Sequence, residues 1–181
     1  MSQDPIDRLL WEHQGIMRQV ADLRTAIATL ARDGEASLPA VRPVFQATVR
    51  MIERELLAHA RREDEALFPA LERVFGREEP LTGEMRREHV DIHAQADRFR
   101  TTLRELNEVE HPAIVREGER LRGLAGAGGA SELCASGSEM IRLLDEHFRK
   151  EEEILFPLAR EVLDEREREQ VGRAMESLDV G

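Results

Sequence analysis

Apolar residues recur every three or four positions along most of the chain, the spacing of helices that each bury one face. Asp4-Pro5 reads as an N-cap followed by proline at the first helical position. From there a stripe of Ile6, Leu9, Leu10, His13, Met17, Val20, Leu23, Ile27 and Leu30 runs to Asp33-Gly34, which predicts a helix over about 5–32. Ser37 and Pro39 restart the pattern, with Ile52, Leu56, His59, Glu63, Leu67, Ala70 and Val74 facing inward as far as Phe75-Gly76. Pro80 opens a third stripe of Met85, His89, Ile92, His93, Ala96, Phe99, Leu103 and Leu106, which weakens at His111-Pro112. The Gly-rich stretch 123–130 reads as a loop. Ser131 then caps a fourth helix carrying Met140, Leu144, His147, Glu151, Leu155, Leu158 and Val162, and residues 164–178 form a short amphipathic tail helix. Pro69 and Pro157 fall inside the second and fourth helices, where the missing N–H should kink the axis.

Four long amphipathic helices with short connections predict an all-α fold, an antiparallel up-down-up-down four-helix bundle over about 5–162 within one domain, 1–181. At a rise of about 1.5 Å per residue, the histidines of all four helices come to one level of such a bundle within about a turn. Composition agrees: Tyr is absent, aromatics make up 4% of the chain, and Ala, Leu, Arg and Glu dominate. An apolar content of 41% suffices for a core. The net charge of −11 argues against a nucleic-acid partner. No start resembling a signal peptide and no 18-residue apolar run is present, so a soluble cytoplasmic protein without membrane contact is expected. Cys134 stands alone, which excludes an internal disulfide and fits a small, partly buried residue.

The polar members of these stripes carry the chemistry. Residues 55–70, ELLAHARREDEALFPA, recur 88 positions later as 143–158, LLDEHFRKEEEILFPL. Each copy holds a His-x-x-x-Glu pair, His59 with Glu63 and His147 with Glu151, on one helix face. Glu12-His13 similarly matches Glu88-His89, with Met17 standing where the second copy has His93. A carboxylate buried without partners costs several kcal/mol, so two within apolar stripes point to a bound cation. Imidazoles and carboxylates together suit iron, zinc or manganese. The candidate ligands are His13, His59, Glu63, His89, His93, His147 and Glu151, more than the four a structural zinc takes, and this count points to two metals with an open position. Glu151 keeps the stripe, whereas Glu152 is turned away by about 100°. His111, beside Pro112 and near the loop, is expected at the surface, and Glu12 and Glu88 are expected to face solvent.

The pattern His13, His59-x-x-x-Glu63, His89-x-x-x-His93, His147-x-x-x-Glu151 resembles the hemerythrin-like (HHE cation-binding) family across roughly residues 5–162. The resemblance implies a non-haem di-iron centre of two iron ions, oxo- or hydroxo-bridged. His89, His93 and His147 would hold one iron, His13 and His59 the other, and Glu63 and Glu151 would bridge them. It further implies that O2, nitric oxide or peroxide is the small ligand. Oxygen carriers of that family bridge through an Asp five residues after the last His, the place of Glu152 here. The His-x-x-x-Glu form is similar to bacterial sensor or stress relatives instead. A binding or sensing role is favoured over a di-iron enzyme consuming peroxide or nitric oxide and over an iron-handling protein, because no general acid is apparent. A protein partner is left open.

Overall fold

A computed structural model describes residues 4–75 and 101–179 of the chain, and no strand occurs among them. The first helix, α1, spans Pro5–Asp33. Asp4 caps it, its carboxylate accepting from the N–H groups of Ile6 and Asp7 at 2.9 and 3.3 Å. Gly34 ends it at φ 62°, a left-handed conformation that glycine adopts without penalty.

The second rod is α2 (Leu38–Met51), a π-turn at Ile52–Leu56, α3 (Leu57–Arg62), a second π-turn at Glu63–Leu67 and α4 (Phe68–Phe75). The third is described from residue 101 and runs through a π-turn at Glu105–Glu110 into α5 (His111–Ala127). The fourth is α6 (Ala130–Lys150), a π-turn at Glu151–Leu155 and α7 (Phe156–Val162). After Leu163, Asp164 and Glu167 form a reciprocal capping box that starts α8 (Glu165–Leu178). No helix among the described residues is long and apolar enough to cross a membrane.

The π-turns change the reading of the prolines. In the three that a proline follows, an N–H reaches back five residues: Phe68 to Glu63, His111 to Leu106 and Phe156 to Glu151. Such a turn holds one residue more than an α-turn and throws the bonding ladder out of step by one place. One position after each of those donors the chain carries a proline, Pro69, Pro112 or Pro157, which has no N–H to extend the ladder. A wide turn thus stands ahead of each of these prolines.

The break between the third and fourth rods is also narrower than the Gly-rich stretch suggests. Helix α5 runs on to Ala127, and only Gly128 and Gly129 interrupt. A Cβ at Gly128 would stand 2.8 Å from the Leu124 carbonyl oxygen, so the turn requires glycine. Charged side chains from the opposite corner satisfy its backbone. The Arg42 guanidinium donates to the Ala125 and Gly128 carbonyls at 3.2 and 3.0 Å, and Glu35 accepts from the Ala130 N–H at 2.8 Å. Helix α6 thus starts at Ala130, with Gly129 rather than Ser131 as its N-cap.

The buried apolar side chains form two clusters. One gathers Ile16, Val20, Leu23, Phe45, Ile52, Leu56, Ile114, Leu121, Met140, Leu144 and Phe148. The other gathers Ile6, Leu9, Leu67, Phe68, Leu71, Leu106, Leu155, Phe156, Val171 and Met175. Each fully buried Leu or Phe contributes roughly 1.5–3 kcal/mol to the fold. The clusters follow the anticipated stripes with a small rotation of α1, where Ile16 and Ala26 are fully buried and Met17 and Ile27 only partly. Along every rod the two clusters are separated by histidine or glutamate: His13 between Leu9 and Ile16, His59 and Glu63 between Leu56 and Leu67, His111 between Leu106 and Ile114, His147 and Glu151 between Leu144 and Leu155. A polar layer therefore crosses the middle of an apolar core.

Candidate metal centre

That layer contains two groups of four side chains. His13, His59, Glu63 and Glu151 bring one ligand atom each to within 4.8 Å of one another, and so do Glu63, His111, His147 and Glu151. Both carboxylates belong to both groups. The Nε2 atoms of His13 and His59 are 3.0 Å apart, and those of His111 and His147 3.2 Å. Helix periodicity explains half of this: His59 and Glu63, like His147 and Glu151, are one turn apart on one face.

Each imidazole is held from behind by a carboxylate. His13 Nδ1 donates to Glu152 at 2.7 Å, His59 Nδ1 to Glu12 at 2.9 Å, His111 Nδ1 to Asp64 at 3.0 Å and His147 Nδ1 to Glu110 at 3.0 Å. An ionised carboxylate only accepts, so Nδ1 carries the proton and Nε2 is turned to the centre, the tautomer a metal ligand needs. The four contacts form a two-fold pattern. Glu12-His13 answers to Glu110-His111, and Glu63-Asp64 answers to Glu151-Glu152. The first pair supplies a ligand and the partner of another; so does the second.

The supports differ between the halves. Glu12 also accepts from Arg8 and Arg62 at 3.0 and 3.2 Å, and both guanidiniums reach Asp179 just beyond α8 at 2.7 Å. Burial alone would raise the Glu12 pKa, but the hydrogen bond from His59 and the charges of His59 and Arg62 hold it below its ordinary value. Glu110 is instead held by Lys150. Phe148 stacks on the His13 ring at 3.9 Å between centroids, while Phe68 lies parallel to the His111 ring at 6.1 Å.

Charge at the centre is strongly coupled. Burial by itself would lower the histidine pKa values, yet His111 is pushed up to about 9, chiefly by its hydrogen bond to Asp64 and the proximity of Glu63. His147 is pushed up to about 10 by the Glu151 charge and its bond to Glu110, again against burial. Burial would raise Glu151, but the positive charge of His147 and contacts with His13 and His147 hold it well below the usual carboxylate range. All four carboxylate oxygens of Glu63 and Glu151 are fully buried and receive no well-directed hydrogen bond. Such oxygens need a cation. The donor set of imidazole nitrogens and carboxylates fits a divalent or trivalent transition metal.

Of the candidates read from the sequence, His13, His59, Glu63, His147 and Glu151 are brought together, and Glu151 rather than Glu152 lies in the ligand cluster. His89, His93 and Glu88 lie outside the described residues. His111 corrects the expectation of a surface histidine: it is 7% exposed and belongs to the second group. Glu12 likewise does not simply face solvent but holds His59. The signal lies in the word Glu-His, which occurs at 12–13, 88–89 and 146–147 and again at 110–111. Outside the cluster, Cys134 is partly buried near the Ile27 carbonyl, and burial raises its thiol pKa.

Comparison with known proteins accords with this geometry. No curated protein and no solved structure matches the chain. The family described as Hemerythrin HHE cation binding domain matches residues 4–110, which include His13, His59 and Glu63 and stop one residue short of His111. With more than half its length matched, the chain belongs to the hemerythrin HHE cation-binding domain family.

Proposed function

We propose that the chain is a non-haem di-iron protein that binds or senses O2 or a related small molecule such as nitric oxide or peroxide. The observation that supports this most is the sharing of Glu63 and Glu151 between two groups of ligand atoms. One buried carboxylate with two oxygens can bridge two ions, and two such carboxylates with two imidazoles per side suit a dinuclear site. His13 and His59 would hold one iron and His111 and His147 the other, with His111 taking the place that the sequence pattern offered to His89 and His93. Among the described residues each group offers two imidazoles and the two shared carboxylates, a set that would leave an ion room for an exogenous ligand. Iron in that setting supplies reversible one-electron chemistry and affinity for diatomic ligands. The protein's own contribution is to fix the Nδ1–H tautomer of four imidazoles, to keep Glu151 ionised and to shield the centre with Phe148 and Phe156.

The reading includes an antiparallel up-down-up-down bundle within a single domain. Its support is the way cross-helix pairs descend one rod as they climb the next: Asp145 with Arg24 and Glu152 with His13, Glu53 with Arg122 and Asp64 with His111. A cytoplasmic location and a binding role rather than turnover belong to the same proposal. The test is metal analysis of anaerobically iron-loaded protein, with its visible spectrum before and after air. Two irons per chain and a visible band that appears in air and disappears on deoxygenation support O2 binding. Two irons with irreversible oxidation would move the assignment to peroxide or nitric oxide consumption. One zinc and no colour would remove the di-iron reading.

A further inference from the structure

On the outside of α1, away from the histidine layer, an open cleft of about 730 Å³ lies between α1, the second rod and α8. Its floor is apolar, built from Ile16, Ala58 and Met175, and its wall carries Trp11, the only tryptophan of the chain, with 64% of its surface exposed. An indole left this open on a folded surface is uncommon and marks a face that other molecules can cover. Two arginines at the rim, Arg18 and Arg54, are exposed and make no hydrogen bond or ion pair among the described residues. The other two arginines of the cleft, Arg8 and Arg62, are already engaged by Glu12 and Asp179. Glu55 on the rim accepts from Gln19 rather than from a guanidinium. In a chain of net charge −11, the cleft is lined by four arginines, Arg8, Arg18, Arg54 and Arg62, against three glutamates, Glu12, Glu55 and Glu176, a local reversal of sign.

We infer that this cleft binds a planar aromatic anion, its ring against Trp11 and its carboxylate or phosphate held by Arg18 and Arg54. The guanidinium fork matches both anionic groups in two-point contacts, and aromatic faces stack on indole. The volume falls in the range of small-ligand pockets, about 300–1,000 Å³, rather than that of a protein interface. The inference does not rest on the metal assignment, although Glu12, the support of His59, also lines the cleft.

The test is calorimetric titration of the full metal-loaded chain with 2-naphthoate and 2-naphthyl phosphate, beside the neutral 2-naphthalenemethanol. Saturable binding of an anion is expected, weakened at least about tenfold in Arg18→Ala/Arg54→Ala and in Trp11→Ala, since each removes a charge-assisted contact or the ring stack. Metal content and melting temperature should be unchanged in both variants, which keeps this outcome separate from any failure of the metal centre. Tighter binding of the carboxylate or of the phosphate identifies which anionic group the site takes. The inference is overturned if the neutral alcohol binds as tightly as the anions, if the variants bind like the parent, or if no titrant binds.

Discussion

At the scale of single residues the centre depends on matched pairs, an imidazole and the carboxylate behind it. Replacing His111 with Ala removes one ligand and frees Asp64, so iron content should fall from two to one or fewer per chain. His89→Ala and His93→Ala should leave it at two; loss of iron in these and not in His111→Ala would restore the assignment first read from the sequence. The same pairs set the response of the metal-free chain to pH. His111 and His147 titrate near 9 and 10 when folded, above the ordinary histidine value of 6.5. Their contribution to stability is therefore complete below about 6.5 and is lost as pH rises through 9 to 10. Glu151, depressed when folded, acts in the opposite direction: its contribution is present above 4.5 and is lost in acid. Thermal melts of the apoprotein should show a plateau between these limits and fall on both sides. If these histidines hold iron, metal and proton would compete for Nε2 and the alkaline fall should be shallower in the loaded protein; equal slopes in both forms would remove the link between these histidines and the metal.

At the scale of helices, the π-turns aim the glutamates. Glu63 and Glu151 each stand first in such a turn, and a proline seals the helix that follows. Because a π-turn is one extra residue within an otherwise α-helical rod, its removal closes the turn and leaves both flanks near their original faces. Deleting the exposed Glu153 alone then forces Pro157 into an unbroken helix at a cost of about 3 kcal/mol. Deletion of Glu153 combined with Pro157→Ala should recover the circular dichroism of the parent but not its iron. Recovery of both would show that the wide turn has no part in the site. The sequence made the rods legible because their 3.6-residue period persists for several turns, and His59, Glu63, His147 and Glu151 were found by that period. The turns were not legible. An inserted residue shifts the phase by less than a short apolar stripe resolves, and proline was read as the cause of a break when it follows one. His111, one residue past such a turn, stands beside Pro112 and near the Gly-rich stretch, and in sequence those neighbours point to the surface.

At the scale of the molecule, the two halves lend each other parts. The partners of His59 and His147, Glu12 and Glu110, come from their own halves, whereas His13 depends on Glu152 and His111 on Asp64 across the centre. One half could be read from the repeat at 55–70 and 143–158; the exchange between halves could not, since it joins residues with no common spacing. The carboxylates shared by the two groups have a consequence for loading. If the centre holds two ions, the shared Glu63 and Glu151 would couple them: filling the place beside His13 and His59 would order both carboxylates for the opposite pair. The second equivalent should then bind more tightly than the first, and a titration followed by mass spectrometry should pass from bare chain to doubly loaded chain with little of the singly loaded species between them. Filling of this centre would be a concerted event, and a cell short of iron would hold a mixture of full and bare molecules rather than a population of half-filled ones.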